Sequence, residues 1–402
     1  MDVCVTRQPV FNRSMGTFAY RLVPGETNEE GGAPPGSAVG QVLSAWFLTI
    51  GVERLTGDRP GIVTFNERSL LDGSAENLNP DLTIIEVPPD IPVTHEVIDA
   101  ARDLRSAGFS IAVARYSDDD GRKRLLEPGD LVTVDWASCD SPESLLDAGG
   151  DEFTWLATGV NTARAHEEAM HLAFDYFEGE FYSDPDSISG TEIPIPRFHY
   201  MKVLTEINRP DFRFDTLADI VHHDASLSYR LLKYINSAAF GWRSKVRSIQ
   251  HAMVLLGERE IRRWASLAAM GSVLEDRPLE LVTSAVVRGR FCEMLADRIR
   301  MAERTMDLFY LGMLSRLDDI VGKPMEELIA LIDLADDVRE ALIDPDSPGP
   351  LRALLDAVTA YERADWAVVE DWCRAANVPR VTLLTLYVEA VEWAEALHRP
   401  KA

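Results

Sequence analysis

The residues of this 402-residue chain that first suggest chemistry are His222, His223 and Asp224. A divalent cation needs several converging ligands, and an adjacent His-Asp pair supplies two of them. A metal-dependent phosphohydrolase would need a further His and Asp brought in from elsewhere. His199 and His251, like the pair at 222 and 223, equally suit ordinary surface or hydrogen-bonded core positions. The four cysteines, Cys4, Cys139, Cys292 and Cys373, contain no CxxC pair. They read as reduced thiols of a cytosolic protein rather than a disulfide framework or a zinc site. There is no Gly-x-Ser-x-Gly elbow, no Walker A loop and no dinucleotide-binding glycine fingerprint.

The elements that must position any site change character part-way along the chain. In the first half, β-branched runs at Ile62–Phe65, Ile84–Val87, Ser110–Ala114, Leu131–Asp135 and Thr154–Ala157 alternate with helical stretches. Val93–Ala107 is one such helix, with Val97, Ile98, Ala101 and Leu104 on one face, and Leu43 to Leu55 is an earlier one. Val3–Val5 and Phe18–Leu22 suit an opening hairpin. Repeated βα units imply a parallel sheet, open or closed as a barrel. Asn28–Ser37 reads as a loop, and the proline-rich run Ser183–Arg197 marks a domain boundary. Beyond it the period is helical: Leu227, Leu231, Tyr234 and Ile235 share a face, Gly257 can cap a helix, and Ile261, Trp264, Ala265 and Ala268 form the next stripe.

Hydrophobic residues make up 46% of the chain, enough for buried cores, and the length suits two domains. The N-terminus lacks the charged and apolar regions of a secretory signal, and no run of about 18 apolar residues suggests a membrane span. A cytoplasmic location is expected. The formal charge of −26 opposes binding to nucleic acid or anionic membrane. Ser226 to Arg263 breaks the trend, with Arg230, Lys233, Arg243, Lys245, Arg247, Arg259, Arg262 and Arg263 against Glu258 and Glu260. Solvated helix faces are the expected use of these charges, and nucleic-acid binding ranks last among the functions considered.

Seven stretches occur in one order over about the first 190 residues: RQPVFNRSMGTFAYRL, VTFNERSLL, TIIEV, AGFSIAVARY, LVTVDWAS, WLATGVNT and FDYFEGEFYSDP. Together they resemble an EAL domain, the barrel that hydrolyses cyclic di-GMP, in the divergent form found fused to HDOD domains. HHDASLSYRLLKYINSAAFG and IQHAMVLLGEREIRRW resemble the HDOD family, and YLGMLSRLDDIVG continues in the same manner. The resemblance implies an α/β plus all-α chain: a degenerate (β/α) barrel of the EAL type over residues 1–190, then an all-helical HDOD domain with a helical extension over 191–402.

It also implies where the barrel's ligands should stand. Two-metal phosphodiester cleavage needs several carboxylates at the C-terminal strand ends. By the resemblance, Arg21 takes the place of the signature glutamate and Thr64 that of a ligand asparagine, with Asn66 two residues further along the strand. Glu86 matches a ligand. Ala114 and Arg115 replace an aspartate pair, Thr133 a lysine, Thr158 and Asn161 two glutamates, and Glu178 a glutamine, while Asp135 is kept. The expectation is a site without metal or cofactor, chemically silent, with a basic mouth at Arg21 and Arg115 and with Glu86 free to pair with Arg115. In the HDOD half the resemblance makes Asp224 a helix N-cap and places Met313-Leu314-Ser315-Arg316 where related enzymes carry His-Asp.

The expected function is a non-catalytic regulatory scaffold whose HDOD half contacts protein partners. Trp242, Arg243, Lys245 and Arg247 are the candidate contact patch, since Trp and Arg are favoured at interface cores. A homodimer is compatible with the sequence. The alternatives are a sensor that binds cyclic di-GMP or another nucleotide without cleaving it, and a residual metal-dependent phosphodiesterase.

Overall fold

The computed structural model describes residues 4–25, 51–116, 122–127, 129–139, 141–149, 152–184, 249–271 and 278–398, together with Ile207, Leu231, Leu232, Tyr234, Ile235, Asn236 and Val246. The chain divides into two compact units. The first comprises Met1–Ser187, Ala360–Glu370 and Pro379–Leu384, and the second comprises Ile188–Thr359, Asp371–Val378 and Thr385–Ala402.

The first unit is a closed barrel of eight strands in sequence order. They are β1 (Val5–Asn12), β2 (Thr17–Pro24), β3 (Gly61–Thr64), β4 (Thr83–Val87), β5 (Ser110–Val113), β6 (Leu131–Asp135), β7 (Thr154–Thr158) and β8 (Tyr176–Glu178). β1 is antiparallel to both its neighbours, β2 and β8, and the remaining pairs are parallel. The opening hairpin is therefore real, but longer than the sequence suggests. Its turn is closed by the Asn12 side chain, which accepts from the backbone N–H groups of Ser14 and Gly16.

Side chains alternate across a strand, so residues two apart share a face. Val10, Ala19, Ile62, Ile84, Ala112, Leu131 and Leu156 form one buried cluster, with Phe18 and Tyr176 packed against it. This layer plugs the barrel, as in other closed parallel barrels whose interior is core rather than pore. Helices on the outside begin at capping side chains. Thr94 accepts from Val97 N–H at the start of α1 (His95–Ser106), and Thr162 accepts from Ala165 N–H at the start of α2 (Ala163–Met170). Each cap satisfies one orphan donor of its helix.

Part of the chain's C-terminal region belongs to this same unit. Tyr361 Oη donates to the Val5 carbonyl at 3.0 Å, Thr6 Oγ1 donates to the Glu362 carbonyl, and Arg363 pairs with Glu180 at 3.0 Å. Val5 is in register with Pro24, and Glu180 follows β8, so these contacts gather at the end of the barrel where the parallel strands finish.

The described part of the second unit is helical. α3 (Ile249–Gly271) is broken at Gly257, whose φ of 71° and ψ of 173° no helix accommodates. α4 (Leu279–Leu295) and α5 (Thr305–Leu314) cross in backbone contact. A Cβ at Gly312 would lie 2.5 Å from the Arg288 carbonyl oxygen, so only glycine allows this approach. Ile261, Trp264, Ala265 and Ala268 are buried, as their spacing predicts. Arg263 is not on a solvated face. Its guanidinium is 3% exposed and is held by Glu260 at 2.5 Å and by Glu293, with Phe309 and Trp393 rings beside it. Of the other cations in the basic stretch, Arg262 pairs with Glu258 at 2.9 Å and Arg259 lies 3.9 Å from Glu260.

Candidate functional site

The positions singled out by sequence lie at one end of the barrel because of strand periodicity. Arg21 stands two residues beyond Ala19, Thr64 beyond Ile62, Glu86 beyond Ile84, Ala114 beyond Ala112, Thr133 beyond Leu131, Thr158 beyond Leu156 and Glu178 beyond Tyr176. Each partner in those pairs belongs to the core layer or packs against it. The period of two therefore lifts all seven onto the inward face of the next layer, at the C-terminal strand ends.

Four of them are joined by hydrogen bonds. Arg21 reaches in two directions, with Nε donating to both oxygens of Glu178 at 2.8 Å and Nη1 donating to Glu86 Oε2 at 2.6 Å. Thr64 Oγ1 donates to the same Glu86 oxygen at 2.7 Å. Strand β3 stands between β2 and β4, and β1 stands between β2 and β8. Arg21 thus spans the interior and ties three strands. Burial works against the Arg21 charge, but the carboxylates of Glu178 and Glu86 more than offset it, and its pKa rises. Burial likewise pushes the Glu178 carboxyl up, against the opposing pull of Arg21.

A second group lies beside the first. Arg115 follows the buried Ala114 with φ of 47°, a left-handed backbone that is strained for a side chain of this size. Its N–H donates to Thr133 Oγ1 at 3.0 Å, which helps hold that conformation. The guanidinium is 67% exposed and lies 3.6 Å from Asp135 Oδ2. Asp135 Oδ1 accepts from Ala137 N–H, Thr158 Oγ1 donates to the Val134 carbonyl, and Asn161 Oδ1 accepts from Glu180 N–H.

Three expectations change here. Glu86 pairs with Arg21, not with Arg115, because Arg21 projects across the interior while Arg115 turns outward toward Asp135. The mouth is not basic, since Glu86, Glu178 and Asp135 stand against the two arginines. Asn66 does not continue β3. The strand ends at Thr64, and Asn66 caps a short helix, Glu67–Leu71, by accepting from Ser69 N–H at 2.8 Å.

A divalent cation such as Mg²⁺ or Ca²⁺ requires six or more oxygen ligands arranged around an open centre. Glu86 and Glu178 supply oxygens, but both are taken by the Arg21 guanidinium that lies between them. Among the described residues no group of three or more His, Cys, Asp or Glu has the geometry to hold a metal ion. The side chains at this end do not fit a divalent-cation site.

In the helical unit the Asn236 side chain forms three bonds. Its Nδ2 donates to the carbonyls of Leu232 and Val246, and its Oδ1 accepts from Val246 N–H at 2.7 Å. Trp242, Arg243 and Lys245 fall between Asn236 and Val246 in the sequence. Those three residues, Arg247, His199, and the His222-His223-Asp224 tripeptide lie outside the described residues. Ser315, where the resemblance puts the histidine of related enzymes, accepts from Arg288 Nη1 at 2.7 Å and donates to the Gly312 carbonyl. Sequence reading missed the buried Arg263 cluster, because its partner Glu293 lies 30 residues away on another helix.

Residues 193–328 match the family model of the HDOD domain. An HDOD domain therefore follows the eight-stranded barrel in this chain. Two relatives align with nearly the whole chain. The uncharacterized protein YuxH of Bacillus subtilis is 28% identical, over 99% of this chain and 99% of its own. Cyclic di-GMP phosphodiesterase CdgJ of Vibrio cholerae is 26% identical, over 98% of this chain and 93% of its own. The EAL domain of FimX from Pseudomonas aeruginosa, solved with c-di-GMP bound, is similar at 13% identity and a TM-score of 0.37, covering 45% of this chain and 89% of that one.

The expectation that the chain is not an enzyme is corrected by this comparison. A relative named as a cyclic di-GMP phosphodiesterase aligns with nearly the whole chain. Exchanged side chains at the strand ends report which groups stand there, and inactivity does not follow from them. No described helix is long and apolar enough to cross a membrane.

Proposed function

We propose that the chain acts in cyclic di-GMP signalling, with the cyclic dinucleotide engaged at the C-terminal rim of the barrel. The observation that carries this reading is Arg115. A strained left-handed backbone presents its exposed side chain beside Asp135, at the same strand ends as Arg21, Glu86 and Glu178. Strain of this kind clusters at binding sites, and a guanidinium offers a planar fork suited to phosphate oxygens. The near full-length alignment with CdgJ supports cyclic di-GMP as the ligand and makes its hydrolysis the reaction to assay.

The HDOD unit, on this reading, passes the ligand state to regulatory protein partners in the cytoplasm. Trp242 and Arg243 are the candidate contact, since Trp and Arg are favoured at interface cores. Calorimetric titration of the full-length chain with cyclic di-GMP, with products followed by chromatography, tests the ligand. Saturable heat that is lost in Arg115→Ala supports the proposal. An absence of heat and of any thermal shift would remove it. In the same preparations, replacing Trp242 and Arg243 with alanine should weaken partner capture and leave the titration unchanged. Capture that is equal in both proteins would remove the partner assignment.

A further inference from the structure

Two carboxylates from two strands, Glu86 and Glu178, meet on Arg21 in the barrel mouth, and Thr64 Oγ1 donates to the Glu86 oxygen. Two buried carboxylates this close demand a positive partner, since an uncompensated buried charge is strongly unfavourable. Free metal ions commonly fill that role. Here the positive charge is part of the chain. We propose that Arg21 is the resident cation of the mouth, so that barrel closure and ligand engagement at this rim need no divalent metal.

The geometry assigns this role in detail. Both oxygens of Glu178 lie 2.8 Å from Arg21 Nε, and Glu86 takes Nη1 at 2.6 Å. A lysine could offer only a point charge on a flexible stem, whereas the guanidinium reaches two carboxylates with fixed geometry. The Arg21 side chain is 14% exposed, so solvent screens it little, and the two carboxylates keep it cationic despite burial. Removing Arg21 would leave oxygens positioned for a hard cation and a void shaped for a guanidinium ion. The metal independence of ligand binding rests on the cyclic di-GMP reading. The resident cation itself does not.

The test is thermal unfolding of the full-length wild type and Arg21→Ala in chelator, in millimolar Mn²⁺ and in millimolar guanidinium chloride, with cyclic di-GMP titrations of the wild type in chelator and in Mn²⁺. The wild-type midpoint should be the same in chelator and Mn²⁺. Arg21→Ala should melt lower by roughly 6 °C or more, and either cation should restore part of the loss. A wild-type midpoint that falls in chelator, or an Arg21→Ala protein that responds to neither cation, overturns the proposal. If Arg21→Ala does not fold, Arg21→Lys keeps a charge and should melt slightly lower with no response to Mn²⁺. A clear Mn²⁺ response in Arg21→Lys counts against the proposal. Titration heat that appears only in Mn²⁺ overturns the resident cation and leaves the ligand reading. No heat in either buffer, with the expected melting behaviour, removes the ligand reading and leaves the resident cation.

Discussion

Both units of this protein bury an arginine between two glutamates, and the two clusters are built for different purposes. In the helical unit, Arg263 sits between Glu260 and Glu293 with aromatic rings at its sides, and its guanidinium is 3% exposed. In the barrel, Arg21 sits between Glu178 and Glu86 at the strand ends, one layer above a fully apolar plug. The helical cluster has aromatic neighbours and a second arginine, Arg290, on Glu293 at 2.9 Å. The barrel cluster has a hydroxyl neighbour, Thr64, and lies beside the exposed Arg115. The same ion-pair chemistry thus locks a helix crossing in one unit and completes a polar layer at the strand ends in the other.

Glu293→Ala is the sharpest way to break this comparison. It removes the more deeply buried of the two carboxylates on Arg263 and leaves Glu260, and removing one partner of a buried pair costs about 3–5 kcal/mol. Chemical denaturation should show a loss of that size, with the cyclic di-GMP affinity unchanged where the protein remains folded. A loss below about 1 kcal/mol would mean that the helical cluster is not structural.

A smaller effect separates the barrel cluster from a surface pair of the helical unit by pH. Glu178 titrates above its ordinary value of 4.5, chiefly through burial. A carboxyl with a raised folded-state pKa binds more protons folded than unfolded across the window above 4.5, so stability falls as pH rises through it. Asp337, paired with the exposed Arg304, has the opposite sign. Its hydrogen bond to Arg304 lowers its pKa below 3.8, so its contribution is present above that value and is lost as pH falls further. Glu178→Gln should flatten the slope above pH 4.5 in stability measured by denaturant titration and leave the acid limb unchanged. An unaltered slope above pH 4.5 would show that Glu178 is not the group responsible.

Most of the barrel was legible in the sequence because β-branched runs bounded by helix caps signal parallel strands. β6 runs over Leu131–Asp135, the same bounds its residues suggest. β8 is not legible in the sequence, since its three residues, Tyr176, Phe177 and Glu178, are too few to show a period. The hairpin was underestimated because Arg7, Gln8 and Pro9 interrupt the apolar run of β1. Strand alternation identified the inward face of the site but not its pairing. Arg21 finds Glu86 and Glu178 only because the sheet closes and lets a long side chain reach over intervening strands. The burial of Arg263 was hidden for a related reason, since a charge-rich helix looks solvated until a partner from a distant helix is known.

The central claim, that the barrel rim is where cyclic di-GMP is engaged, is tested most directly by running one titration on three proteins. These are the wild type, Arg115→Ala at the rim, and Arg304→Ala, which breaks an exposed pair in the helical unit. Saturable heat in the wild type and Arg304→Ala, with at least a tenfold weaker response in Arg115→Ala, is the predicted result and corresponds to about 1.4 kcal/mol of binding free energy. Equal affinity in Arg115→Ala and the wild type, or loss confined to Arg304→Ala, would contradict it.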